Sequence, residues 1–313
     1  MKYLYNKILS IIQNFLKKSK SYGAKKFFMV LANIAILKSR KFYNEKSYLE
    51  DFELKIYSQN GEDGIIDFVV KKLQIRKPSF VEIGVGDYSE ANTRFLYESY
   101  YGKGLIVDVI QNFREKVSSN VSIWRGNLNI LQKNINSKNI NEVLNNNVDF
   151  DIDIFSIDID GLDYWVLNQI KPKISKVIIL EYNSIFGSEK ELTIPNIENF
   201  DRTKAHYSNL YYGASLKSYV SLMNKKGYYL LGVNRLRNNA FFVNEDFPKT
   251  KYFQNINTMS LAESTKFNFS ESRDIKGNLN YLNNKKKIEE IHDCEVINLQ
   301  IDKTTLYKIK DVI

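Results

Sequence analysis

The sequence predicts an α/β fold: a mostly parallel sheet with a terminal antiparallel hairpin strand, preceded by an N-terminal helical arm. Two observations carry the sheet. From residue 79, apolar runs of strand length alternate with segments of helical period, the pattern of a parallel sheet covered on both faces. The last two runs, "YYLLGVN" and "NAFFVNE", are joined by a short turn, which makes them an antiparallel hairpin. A third observation sets the arm apart. Residues 1–50 carry 11 Lys/Arg against 2 Glu. With 45 Lys/Arg and 36 Asp/Glu in the whole chain, residues 51–313 are left with 34 of each sign. The formal charge of +9 therefore belongs to the arm. A neutral body does not support a nucleic-acid interface, and none is expected.

The arm, residues 1–55, opens with "KYLYNKILSIIQNFLKK". Leu4, Ile8, Ile11, Ile12, Phe15 and Leu16 share one helical face, with Lys and Asn on the other. "FFMVLANIAIL", residues 27–37, is too short to span a bilayer and is followed by Lys38, Arg40 and Lys41 instead of a cleavage site. One reading is a basic helix pair lying peripherally on an anionic membrane through residues 1–50. The plainer reading is helices that pack on the main domain or on a second copy. Either way the protein is expected to be cytoplasmic, on the inner face of the membrane if the arm binds it. The oligomeric state is not legible.

Residues 56–245 form the expected Rossmann-like domain. "SQNGEDGIID" precedes the first strand, with Ser58 as a helix cap or with Gln59 and Glu62 reaching a ligand edge. "SFVEIGVG" is a strand ending in glycines, and "EANTRFLYESY" a helix starting near Asn92 or Thr93. "KGLIVDVI" and "NVSIWRGN" read as strands, and "SKNINEVLNN" as a short helix capped by Ser137. "DIDIFSIDID" is a strand, "DYWVLNQI" a helix, "SKVIILEYN" a strand, and "GASLKSYVSLMNKKG" a helix that Ser215 begins. Residues 246–313 lose this rhythm. Two short strands, "CEVINLQI" and "TLYKIK", are expected there, and no chemistry.

Several chemistries are excluded early. One cysteine, Cys294, rules out an internal disulfide framework and a cysteine-based zinc site. Two histidines, His206 and His292, argue against a histidine-rich metal centre. No GxSxG context supports a serine triad.

What remains lies at strand ends. Glu82-x-Gly84-x-Gly86 lets a backbone approach a ligand, and Asp108, late in the next strand, is placed to accept hydrogen bonds from a ribose. Ser89 stands where a dinucleotide fingerprint would need a third glycine. In "FSIDIDGLDYW", Asp158 and Asp160 share one strand face, because side chains alternate with period two. Asp163 suits a first helical turn. Solvated caps, a hard metal, and the positioning of a cationic donor beside a hydroxyl are all open for the pair, with the metal-free version favoured because no histidine joins them. Glu181 ends the next strand with Tyr182 and Asn183, a polar run at the same edge.

These segments in this order resemble class I S-adenosylmethionine-dependent methyltransferases, and within them the FkbM-type group and its bacterial polysaccharide-cluster relatives. The likeness rests on "SQNGEDGIID", "FVEIGVGDYSEANTRFL", "LIVD", "FSIDIDGLDYWVL", "ILEYNSIFG" and "YYGASL…GYYLLGVN…NAFFV". It implies S-adenosylmethionine as cofactor and a small-molecule or glycan acceptor in surface polysaccharide synthesis. Glu82, Gly84 and Gly86 would face the methionine part, Asp108 the ribose, Asn92 and Thr93 the carboxylate, and Gln59 the cofactor edge. Asp158 and Asp160 would stand beside the methyl donor. From their shared face and their place at the ligand edge, Asp158 is expected near the cofactor and Asp160 near the acceptor hydroxyl or a hard metal, with Glu181 a further candidate catalytic acid. Relatives often read DxEG where this chain has "DIDG". Two other classes compete: a metal-dependent glycosyltransferase, because "DID" occurs at 151–153 and 158–160, and a silent binding module of the same fold.

Overall fold

The computed structural model describes residues 22–266 and 271–313. The first amphipathic segment, residues 1–17, lies outside them. The chain forms two compact units, Met1–Asn44 and Glu45–Ile313. The described part of the first is helix α1 (Tyr22–Arg40).

The second unit opens with a 3₁₀ turn, Leu49–Phe52, followed by α2 (Glu62–Lys72), and then alternates. β1 (Ser79–Ile83), α3 (Arg94–Tyr100), β2 (Lys103–Asp108), α4 (Phe113–Asn120), β3 (Leu128–Gln132), α5 (Ile140–Asn147), β4 (Ile152–Ile157), α6 (Asp163–Gln169) and β5 (Ser175–Glu181) follow in order. A long connection holding β6 (Leu192–Thr193) and α7 (Arg202–Ala205) leads to α8 (Leu216–Lys225) and the hairpin β7 (Tyr228–Val233) and β8 (Asn239–Asn244). The seven-stranded sheet has the order β3-β2-β1-β4-β5-β8-β7. β8 runs antiparallel to β5 and β7, and all other pairs are parallel. This is the expected Rossmann-like α/β fold with its antiparallel hairpin strand.

The strand runs are apolar because both faces are covered. Every residue of β1 and β4 is buried. Val81 pairs with Leu105 and Phe155, and Phe155 with Ile178, so one row of apolar side chains crosses four strands. α8 seals one face with Leu216, Tyr219, Leu222 and Met223, and Ser215 caps it by accepting from Ser218 N.

Two expectations need correction. "NVSIWRGN" is not a strand. Ile123–Arg125 is a 3₁₀ turn with Trp124 75% exposed, and the strand that pairs with β2 is Leu128–Gln132. The apolar spacing misled because Val121 is buried from a loop, whereas β3, a sheet edge, interleaves polar residues. Nor does Ser137 cap α5. Asn139 holds that position, tied to Asn136 by side-chain–backbone bonds, and Ser137 accepts from Asn196 instead.

After β8 come α9 (Lys249–Tyr252), α10 (Leu261–Ser264), β9 (Ser272–Arg273), β10 (Leu279–Asn280), α11 (Asn284–Ile291), β11 (Glu295–Asn298), β12 (Leu306–Lys308) and α12 (Ile309–Val312). The two expected strands appear as β11 and β12. β11 pairs with both β12 and β6, so the C-terminal segment is stitched to the β5–α8 connection in a three-stranded sheet. Ile291, Val296 and Ile309 share a core with Leu192, Ile194 and Phe186.

Candidate active site

The strand order reverses between β1 and β4, since β2 and β3 lie to one side and β5 to the other. In open α/β sheets the crevice at such a point, outside the carboxyl ends of the strands, is where ligands bind. Here it opens into a cavity of about 970 Å³ whose wall includes Gly84, Gly86, Asp108, Asp158, Asp160 and Arg202.

The glycines are explained by close approach. Gly84 has φ +81°, and a Cβ there would sit 1.6 Å from the Asp158 carbonyl oxygen. Gly86 has φ +56° and would point a Cβ into open space, leaving its backbone accessible. Gly86 N–H donates to Asp108 Oδ2 at 2.7 Å, while Oδ1 accepts from Val109 N at 2.7 Å and Ile110 N at 3.0 Å. Asp108 thus ties the glycine turn to the end of β2. A carboxylate offers about four lone-pair sites, so acceptor capacity remains on it.

Glu82 is placed differently. It is 4% exposed and absent from the cavity wall. Its oxygens accept from Asn92 N and Thr93 N, both at 2.9 Å, and from the Thr93 hydroxyl. It satisfies orphan donors at the start of α3, and burial raises its proton affinity. Asn92 donates to Ser156, Thr93 is buried, and Gln59 is exposed before α2. None of the three lines the cavity. In "SQNGEDGIID", Glu62 accepts from Asn234 and Asn239 of the hairpin, and Asp63 takes the backbone N–H groups of Ile56, Tyr57 and Ser58.

The acids converge at the ends of β4 and β5. One carboxylate oxygen from each of Asp158, Asp160 and Glu181 lies within 4.8 Å of the others. Asp163 stands apart, closing the turn by accepting from Ile159 N at 2.9 Å and Gly161 N at 3.1 Å. Asp160 adopts φ +55°, and the Phe200 ring packs where Gly161 lacks a side chain. Burial, then Asp160 and Asp163, push Asp158 up to about 8. Burial and Asp158 also raise Glu181, whose Oε2 is buried without a hydrogen bond among the described residues.

The compensating charge is Arg202, on α7, which the sequence did not single out. Its Nη1 donates to Asp160 Oδ1 at 2.7 Å and lies 3.9 Å from Glu181 Oε2. Nε donates to Asn209 O at 2.8 Å, and the guanidinium stacks 3.6 Å above the Tyr212 ring centre. Contacts with acids and an aromatic face keep it charged. No local pattern around "DRTKAH" marks it, because the contact crosses from Arg202 to Asp160 through the fold. The three carboxylates offer hard oxygen ligands of the kind a divalent cation takes, but the guanidinium already neutralises part of their charge. The other "DID" does not belong here. Asp153 bonds Ser79 N at 2.8 Å and pairs with Lys176 at 2.6 Å, at the opposite end of the sheet from Asp158.

No protein-family model matches the chain, and no curated protein does. Among solved structures it is similar to the pyocyanin biosynthetic protein PhzM, at 13% identity over 56% of this chain and 53% of that one, with a TM-score of 0.34. It is also similar to an S-adenosylmethionine-dependent methyltransferase from Clostridium acetobutylicum, at 11% identity, 58% and 88% coverage and a TM-score of 0.36. An O-methyltransferase family protein from Burkholderia thailandensis gives 9%, 58% and 57%, and 0.34. The chain spans about half the length of the first of these. Likenesses this distant add no weight, and the strand order carries the fold class alone.

Proposed function

We propose that the chain is an S-adenosylmethionine-dependent methyltransferase that methylates a hydroxyl of a sugar or glycan precursor. The observation that supports it is the convergence on one cavity, at the switch point, of Gly84, Gly86 and Asp108 from one side and Asp158 and Asp160 from the other. The cofactor, when bound, supplies an electrophilic methyl group on a cationic sulfur. The open backbone at Gly86 and the remaining lone pairs of Asp108 fit its nucleoside portion. The acid cluster favours a cation nearby.

The acceptor side is rich in amides. Asn134, Asn199 and Asn209 line the cavity, and their side chains make no hydrogen bond among the described residues. Each amide carries donors and an acceptor, which suits a polyhydroxylated ligand. We place the proton acceptor at Asp158. Its proton affinity is raised toward the working range of a general base, whereas Asp160 is neutralised by Arg202 and serves to orient.

Titration calorimetry of the full-length protein with S-adenosylmethionine tests the reading. Binding is expected, and Asp108→Ala should weaken it by about 1.5–3 kcal/mol through lost charge-assisted bonds. A folded wild-type protein that ignores the cofactor but binds a sugar nucleotide with manganese would establish the glycosyltransferase reading instead.

A further inference from the structure

The first unit, Met1–Asn44, has no part in the chemistry proposed above, yet its described helix carries a distinct surface. Along α1, Phe27, Val30, Leu31, Ile34 and Leu37 recur at three- and four-residue steps on one face, and each is 44–56% exposed. Ala32 and Ile36, on the opposite face, are buried. A lone exposed apolar residue is ordinary, but a continuous stripe of five marks a contact surface.

The surrounding charge selects the contact. Residues 1–44 hold 10 Lys/Arg and no Asp or Glu. Lys25 and Lys26 precede the stripe, and Lys38, Arg40 and Lys41 follow it. A second copy seated on this face would bring like charges together, which opposes association. An anionic lipid surface accepts both features at once, with the apolar face at the acyl boundary and the bases at headgroup phosphates. No helix among the described residues is long and apolar enough to cross a membrane. A helix with these properties lies in the plane of the interface.

We infer that α1 is an interfacial anchor for anionic membranes, through Phe27, Val30, Leu31, Ile34 and Leu37. The inference does not rest on the proposed reaction. Both parts of the contact are needed: the stripe supplies the apolar burial and the bases supply selectivity for anionic lipid. Salt weakens the second part only, because it screens charge.

The test is co-sedimentation of the full-length protein with vesicles of phosphatidylglycerol in phosphatidylcholine, against phosphatidylcholine alone. The wild type should sediment with the anionic vesicles at low salt and much less with the neutral ones. Leu31→Gln with Ile34→Gln, at exposed positions that leave the fold intact by circular dichroism, should lower the bound fraction about tenfold or more. Lys38→Glu with Lys41→Glu should lower it on the same vesicles without touching the stripe. Wild-type protein that stays in solution at low salt overturns the inference. So does full binding by the Leu31 and Ile34 double variant, which would place the contact elsewhere in the chain. A concentration-dependent dimer that this double variant abolishes, with no vesicle binding, would make a second copy the occupant and overturn it as well.

Discussion

At the scale of single residues, the site is governed by how three acids and one arginine share charge. Two neighbouring acids and burial work against ionisation of Asp158, and Arg202 works for it. A rate that needs ionised Asp158 should therefore rise with pH to a midpoint near the value of about 8 to which that residue is raised. Arg202→Met removes the favourable charge and should move the midpoint to higher pH. Asp158→Asn should abolish the rise and lower single-turnover methyl transfer by roughly 10²–10⁴-fold. An unchanged pH profile in Arg202→Met would leave the arginine with a packing role only. Stability has the opposite slope. Because folding raises the proton affinity of Asp158, the folded state binds more protons than the unfolded chain, from the ordinary carboxylate range up to about 8. Its contribution to stability is present at low pH and lost as pH rises through that window. Thermal melts should show Asp158→Asn gaining on wild type toward pH 8. The acids were legible as a cluster at a strand end, but not through strand alternation: β4 stops at Ile157 and Asp160 sits at φ +55°, so the turn after the strand brings Asp158 and Asp160 to the cavity. Arg202 was not, since a residue on a four-residue helix in a long connection reaches them only through tertiary structure.

At the scale of elements, strands were read from apolar runs wherever burial is two-sided. β1, β4 and β5 are such runs, while β3 at the sheet edge is not and was displaced in the reading. The loop after β1 shows what spacing can and cannot say. Glu82, Gly84 and Gly86 stood out together, yet the fold gives them separate tasks: Glu82 holds the start of α3, and the glycines form the cavity floor. The contact between β1 and β4 at this point depends on Gly84. A methyl group there would overlap the Asp158 carbonyl oxygen, and the left-handed backbone would add strain. Gly84→Ala should lower unfolding free energy by about 4 kcal/mol or more, measured by urea denaturation, and displace the acid pair with it. The same substitution at Gly86 meets no neighbouring atom, so only the cost of positive φ applies and the loss should be near 1 kcal/mol. Equal effects at the two positions would mean that close approach of the strands is not what Gly84 provides.

At the scale of the whole molecule, the charge division between arm and body was visible in the composition, but the extent of the body was not. An extension starting at residue 246 was expected because the strand–helix rhythm stops there. The structure places residues 45–313 in one compact unit. The reason is topological. β6 is two residues long; beside a single bridge from Thr193 to Ala214, its strand partner among the described residues is β11, more than a hundred positions later. Local pattern cannot report such a pairing. Ile291, Val296 and Ile309 cover Leu192 and Ile194, and Tyr182 at the end of β5 donates its hydroxyl hydrogen to Ser264 O. Glu271, Arg273 and Leu279 add to the cavity wall beside residues 196–204. Removing residues 246–313 would strip the apolar side chains of the β5–α8 connection of their cover and free the segment that carries Arg202. A chain ending at residue 245 should therefore aggregate or bind a hydrophobic dye, and should lose the arginine's effect on the pH profile. Deleting residues 1–44 removes a separate unit, so the remaining chain should stay soluble with the cofactor affinity of the full-length protein. Size-exclusion chromatography and calorimetry on both truncations decide the matter. A soluble chain ending at residue 245 with undiminished affinity would show that the C-terminal segment decorates the domain instead of completing it.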